Sequence, residues 1–287
     1  MNETKVRSPI ISVQDLQRRL SDPHLRIVDV RWYLGRPEAG HAAYEAGHLP
    51  GAIHLDLNGD LSAKTGPGRH PLPDPSDFAR HLGALGIGDG DFVVAYDDVG
   101  GWVAARLWWM LDNLGHRETA VLDGGLKAWA DAGLPLTTEV PTWAPAKLTL
   151  ADRWSNTLDR DQLRERLGSV VLLDARAGPR YRGEVEPVDP VAGHIPTALN
   201  APTEGNLGPD GRFLPPEALA ERFRALGAAG GAEVVTSCGS GTSALHHVIA
   251  MRLAGLPDPI LYPGSWSDWS RAGYPVATGP EPGAPPD

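Results

Sequence analysis

Short, unbroken apolar runs alternate along this chain with longer stretches in which apolar residues recur every three or four positions. The runs Arg26–Val30, Phe92–Tyr96 and Ala120–Leu122 predict strands in the first half, and Val170–Leu173, Glu233–Thr236 and Pro259–Tyr262 predict strands in the second. They lack polar alternation, which suits strands covered on both faces, as in a parallel sheet between helices. "WVAARLWWMLDNLG" (Trp102–Gly115) and "GTSALHHVIAMRLAG" (Gly241–Gly255) have helical spacing, and each stops at a glycine. Trp108 and Trp109 are expected in the core between helix and sheet. The predicted class is α/β, built twice.

The two halves repeat one pattern. "LRIVDVRW" pairs with "VVLLDARA" and aligns Asp29 with Asp174; "AGHLPGAIHLDL" pairs with "AGHIPTALNAP" and aligns His48 with His194. "DFVVAYDD" pairs with "AEVVTSCG", aligning Asp97 with Cys238, and "VLDGGLKAWADAGLPL" with "ILYPGSWSDWSRAGYPV", aligning Trp129 with Trp269. Four blocks in one order at nearly constant separation imply a tandem duplication. The expected organisation is a first domain over 1–138, a Pro-containing linker over 139–152 and a second domain over 153–278. The Pro/Gly-rich tail 279–287 is expected to fray. His48, His194, Asp29 and Asp174 occur in both copies, which argues that they fix turns. His246 and His247 are helix neighbours that point in different directions, so they form no metal pair. No Cys/His cluster has zinc spacing, and neither a metal nor another cofactor is expected.

The chain of 287 residues has 26 Lys plus Arg against 36 Asp plus Glu, a net charge of -10, which disfavours nucleic acid and anionic membranes. No apolar run is long enough to cross a bilayer, and the first twenty residues do not read as a secretion signal. One cysteine cannot form an internal disulfide, so a cytoplasmic, reducing setting is expected.

That cysteine, Cys238, follows a predicted strand and precedes a predicted helix starting near Ser243, the edge of an open α/β sheet where ligands bind. Gly239 and Gly241 let the backbone turn so that successive N–H groups converge, and Ser240, Thr242 and Ser243 add hydroxyls. Such a loop, with a helix N-terminus aimed at it, holds an anion and would present a nucleophilic thiolate. A phosphatase of the C-x5-R type needs an arginine six residues after the cysteine, where this chain has Ala244. A dinucleotide fingerprint, Gly239-x-Gly241-x-x-Ala244, has its later acid only at Asp258, inside a loop. Sulfur transfer through a persulfide on Cys238 fits the loop.

The chain resembles the tandem-domain rhodanese family, the thiosulfate and 3-mercaptopyruvate sulfurtransferases. The resemblance is carried by "DVRWYL", "GHLPGA", "RLWWML", "LDGGLKAW", "DARAGPRYRG", "GHIP" and "CGSGTSA", from about Val13 to Val276. It implies two rhodanese-like domains, each a mainly parallel sheet flanked by helices, the second catalytic and the first without a nucleophile, since Asp97 takes the place of Cys238. It also implies that Arg180, in "GPRYRG", binds an anionic sulfur donor. The neutral "CGSG" loop is similar to that of mercaptopyruvate enzymes, whereas Val188, in "EPVD", stands where those enzymes carry a second arginine. Arg69, in "PGRHPLP", is the candidate to supply that charge. The resemblance further implies a serine–histidine–acid set of Ser240, His70 and an acid within "DLNGD". Asn58 aligns directly there, Asp56 and Asp60 flank it, and Asp60 is favoured. The donor stays open between thiosulfate and 3-mercaptopyruvate. The acceptor would be cyanide, a thiol or thioredoxin. A persulfide carrier or redox-sensing module with slow turnover is the alternative.

Overall fold

The computed structural model describes residues 8–285 of the 287. Residues 1–7 of the expected first domain and 286–287 of the expected tail lie outside them. The chain forms two compact units. One takes the residues up to Asp56 together with Pro75–Trp154; the other takes Leu57–Asp74 together with the residues from Ser155 on. The segment Leu57–Asp74, which carries Asn58, Asp60, Arg69 and His70, therefore belongs to the unit that contains Cys238.

The first unit holds a five-stranded parallel sheet. Its strands are β1 (Ile10–Ile11), β2 (Leu25–Asp29), β3 (Ala52–His54), β4 (Phe92–Tyr96) and β5 (Thr119–Leu122), in the order β1-β5-β4-β2-β3. Five helices flank it: α1 (Val13–Arg19), α2 (Ala39–Ala46), α3 (Pro75–Ala84), α4 (Ala104–Asn113) and α5 (Gly125–Asp131). Every residue of β4 is buried, and so are Trp108, Trp109 and Trp129. In the second unit, α6 (Arg160–Arg166), β6 (Val171–Asp174), α7 (Gly178–Tyr181), β7 (Leu199–Asn200) and α8 (Pro216–Ala225) are followed by β8 (Val234–Ser237), α9 (Leu245–Leu253), β9 (Ile260–Leu261) and α10 (Ser265–Trp269). The strands are parallel in the order β7-β6-β8-β9, and a parallel bridge from Thr157 to Leu261 occupies the place that β1 has beside β5.

The duplication extends to individual hydrogen bonds. Arg31 grips Asp29 through Nε and Nη2, then donates to the Gly47 carbonyl at 2.8 Å. Arg176 does the same with Asp174 and Gly193, also at 2.8 Å. Both pairs are buried, so losing one partner would leave an uncompensated charge at a cost of about 3–5 kcal/mol. His48 stacks on Tyr44 with centroids 3.9 Å apart, and His194 stacks on Tyr181 at 3.8 Å. The tyrosine hydroxyls donate to Ala52 and Ala198 carbonyls. These side chains tie each helix–turn–strand corner to the end of the central strands, the turn-fixing role their repetition suggested.

One expectation is corrected. The tail does not fray over its described part: Gly279 N–H donates to Arg182 at 2.9 Å, His194 Nε2 is 3.1 Å from the Glu281 carbonyl, and Thr197 N–H donates to Pro282 at 2.6 Å. Proline and glycine there shape an extended strap that satisfies buried polar groups. The helix after Cys238 runs over Leu245–Leu253, and Ala244 before it is already in helical backbone, with Leu245 and His246 N–H groups donating to Thr242 and Ser243, close to the expected start. In the first unit, the stretch from Glu139 to Asp152 is bound through Ala146 N–H to Gly83 and Ala151 N–H to Leu114. No helix among the described residues is long and apolar enough to cross a membrane.

His246 and His247 face different partners. His246 stacks on Phe213 and meets Asn206, while His247 lies between Thr236 Oγ1 at 2.8 Å and the Ala201 carbonyl at 2.7 Å. Burial pushes His247 down from 6.5 to about 4. The unfolded chain therefore takes up this proton first as pH falls. Stability is full above about pH 6.5 and is lost toward pH 4, by about 3 kcal/mol from this group. Urea unfolding between pH 4 and 7 should show that slope, and His247→Gln should flatten it by that share.

Candidate active site

The central strand β8 ends at Ser237, and the chain then turns through Cys238–Ala244 before entering α9. Gly241 sits at φ 74°, and a methyl group on it would lie 2.3 Å from the Pro263 carbonyl oxygen, so only glycine fits this turn. The stretch after β9 clamps the loop from outside. Trp266 N–H donates to Cys238 O at 3.0 Å, Ser267 N–H donates to Gly239 O at 2.9 Å, and Cys238 N–H donates to Ser265 Oγ at 3.1 Å. Ser265 takes a φ of 51°, unusual for a residue with a side chain. Its counterpart in the first unit is Gly125, at φ 54°. The serine accepts the same strained backbone and gains a hydroxyl that holds Cys238 in place.

Cys238 is 2% exposed, and Ser240 N–H points at its sulfur from 3.5 Å. The first unit shows what this loop shape holds. Asp97, at the matching position, accepts four backbone hydrogen bonds, from Val99 and Gly101 to Oδ1 and from Val103 and Ala104 to Oδ2, all within 2.9 Å. Burial pushes the Asp97 carboxyl up, and the four N–H groups oppose that by favouring its charged form. A loop of this kind accommodates negative charge.

Beside Cys238 lies a chain of charges. Arg176, paired with Asp174, stacks over the Trp266 ring at 4.9 Å and comes within 3.6 Å of Glu186. Burial alone would lower the Arg176 guanidinium; Asp174, Glu186 and Cys238 outweigh it and raise it. Glu186 accepts from Arg180 at 2.7 Å and from the N–H groups of Val188 and Asp189. Burial pushes Glu186 up, but these donors hold it below the usual carboxylate range. Arg69 is bonded to Asp189, and Arg180 lies 3.7 Å from the same oxygen. A methyl group on Gly239 would lie 2.9 Å from Arg69 Nη2 and 3.4 Å from Arg180 Nη1, so both guanidiniums border the loop. Arg180 Nε and Thr242 Oγ1 are buried without a hydrogen-bond partner among the described residues.

On the other side, Ser240 Oγ is 2.7 Å from His70 Nδ1, and His70 Nε2 is 3.0 Å from Asn58 Oδ1. The His70 ring thus lies between the Ser240 hydroxyl and the Asn58 amide, one on each ring nitrogen. Asn58, which aligns directly with the expected acid, is thus one partner of His70, and its amide oxygen helps to orient the ring. Ser267 Oγ accepts from Arg69 N–H at 3.0 Å, so one clamp seats both the Cys238 loop and the Arg69–His70 turn.

The rhodanese-like domain pattern matches twice, over residues 12–132 and 159–272. This chain belongs to the rhodanese-like family. It is 49% identical over 278 residues to a probable 3-mercaptopyruvate sulfurtransferase of Pseudomonas aeruginosa, covering 94% of this chain and 98% of that one. It is 43% identical to a putative thiosulfate sulfurtransferase, SseB, of Mycobacterium tuberculosis, covering 87% of this chain and 88% of the relative. The crystal structure of SseA from Escherichia coli, a 3-mercaptopyruvate sulfotransferase, superposes with a TM-score of 0.80 at 28% identity, over 91% of this chain and all of that one. The rhodanese-like sulfurtransferase described here is thus an enzyme with two copies of the fold.

Sequence reasoning did not single out Glu186, Asp189 or Ser265. The two acids had a signal in the "EPVD" run beside Arg180, and Ser265 had one in its alignment with Gly125. Gly241→Ala should destabilise the rhodanese-like fold by about 2–4 kcal/mol through the contact with Pro263 and the left-handed backbone. Thermal unfolding measures the loss, and the rate of Cys238 alkylation at neutral pH reports the disturbed loop.

Proposed function

We propose that the enzyme takes sulfane sulfur from 3-mercaptopyruvate or thiosulfate onto Cys238 and passes it to a thiophilic acceptor: cyanide, a small thiol or a thioredoxin-like protein. In this reading the second domain catalyses and the first, with Asp97 in place of a nucleophile, does not. The Cys238 thiolate attacks the donor's outer sulfur, an S–S bond forms, and the bond from that sulfur to the rest of the donor breaks. The leaving electron pair departs as sulfite from thiosulfate, or as the enolate of pyruvate from mercaptopyruvate. Arg180 and Arg69 bind the donor's anionic group, and the loop Gly239, Ser240, Gly241, Thr242 and Ser243 carries the charge on sulfur.

The observation that carries the reading is the Ser240–His70–Asn58 chain next to Cys238. Sulfite leaves without needing a proton, whereas an enolate must take one to become pyruvate. A protonated Nδ1 on His70 supplies it through the Ser240 hydroxyl, while Nε2–H stays on Asn58. This supports 3-mercaptopyruvate as the preferred donor, as does the name of the Pseudomonas aeruginosa relative. The single thiol fits a reducing compartment, and the cytoplasm is the setting we propose.

Cys238→Ser should abolish turnover with either donor and leave the protein without a sulfur adduct by mass spectrometry, with the fold unchanged by circular dichroism. Wild-type enzyme should turn over many times rather than once, and kcat/KM should favour 3-mercaptopyruvate; stoichiometric loading alone would mean a carrier. Asn58→Asp should hold the protonated His70 ring to higher pH by about one pH unit. The alkaline limb of the pH profile should move up with 3-mercaptopyruvate and stay in place with thiosulfate.

A further inference from the structure

Asp189 has no solvent exposure on its side chain, and three arginines lie within 4 Å of its carboxylate. One oxygen is bonded to Arg69 and lies 3.7 Å from Arg180; the other makes no hydrogen bond among the described residues and lies 3.9 Å from Arg271. Arg69 and Arg180 are the two cations that border Gly239. A buried carboxylate in this place does two things. It draws the two guanidiniums together at the edge of the Cys238 loop, and it cancels one of their charges. Along the whole chain of buried pairs, Arg69, Arg176 and Arg180 face Asp174, Glu186 and Asp189, three charges against three. Arg271, half-exposed, adds one positive charge at the rim.

We propose that Asp189 is a specificity-determining residue: by neutralising one of the two guanidiniums beside Cys238, it makes the site favour a donor bearing one negative charge over a donor bearing two. The inference rests on the reading that Arg69 and Arg180 receive the donor anion. A monoanionic 2-oxo acid thiol meets a cluster that its single charge does not overload. A dianion meets the same arginines already shared with carboxylates, and its second charge lies close to Asp189. Val188, beside Asp189, contributes no compensating cation.

The test compares kcat/KM for thiosulfate and for 3-mercaptopyruvate in the full-length enzyme. Asp189→Asn should raise the ratio of thiosulfate to 3-mercaptopyruvate about tenfold, because one buried negative charge is removed within a few ångströms of the bound anion. Asp189→Glu keeps the charge and should hold the ratio within about twofold of wild type even if both rates fall. Arg271→Glu, at a half-exposed side chain, should move the ratio the other way by about threefold. A ratio unchanged by Asp189→Asn, or moved equally by Asp189→Asn and Asp189→Glu, overturns the proposal. If Asp189→Asn does not fold, an unchanged ratio in Arg271→Glu overturns it instead. Arg180→Ala separates the two layers. If it costs activity with both donors while Asp189→Asn leaves the ratio alone, only the charge assignment fails. If it leaves both donors unaffected, the donor site itself has been misplaced.

Discussion

A loop that turns its backbone N–H groups onto one point has to find negative charge there, and the rest of this structure is arranged around that constraint. The central parallel strand of each unit delivers the loop to the carboxyl edge of the sheet. The following helix and the stretch after the next strand hold it in shape. In the first unit the requirement is met by Asp97, with four N–H donors on its two oxygens. In the second, the sulfur of Cys238 takes that position, with Ser240 N–H facing it. The same backbone thus serves as a structural knot in one copy and holds a thiol in the other.

Around the second loop the acids are sealed in, and the arginines that border Gly239 keep a partly exposed face. The pair of Asp174 and Arg176 is buried on both sides and repeats Asp29 and Arg31, so its task is to fix the corner on which Gly193 and His194 sit. Beyond it, buried Glu186 holds Arg180 and buried Asp189 holds Arg69. Buried pairs of this kind add little net stability compared with apolar packing, but they fix direction. Here they direct guanidiniums toward Gly239, with Arg176 held flat on Trp266.

Much of this was legible in the sequence because the duplication exposed it. The long central strands, the helices after them, the Asp97–Cys238 equivalence and the glycine-rich turn all follow from apolar runs, periodicity and aligned blocks. The strands β1, β3 and β7 were not legible: at two or three residues each they are too short to show a period, and they exist because a longer neighbour pairs with them. Nor could spacing along the chain reveal that Leu57–Asp74 would join the second unit, since a short loop carries no apolar pattern of its own. The contact of Asn58 with His70 has the same origin: within "DLNGD", which polar side chains reach the imidazole depends on how the turn coils, not on spacing along the chain. Asp189 was hidden for a different reason: its partner Arg69 is far away in sequence, and only folding brings the two together.

Asp97 also bears on how rigid each half is through time. Its oxygens never leave, so the first loop is permanently tied down. The second loop carries no such carboxylate, and Ser240 N–H faces the Cys238 sulfur instead. Under the function proposed above, the occupant of that loop would be replaced in each round of reaction, while its outer clamp of Ser265, Trp266 and Ser267 would stay the same. One copy of the fold keeps a permanent tenant, and the other is built to change it.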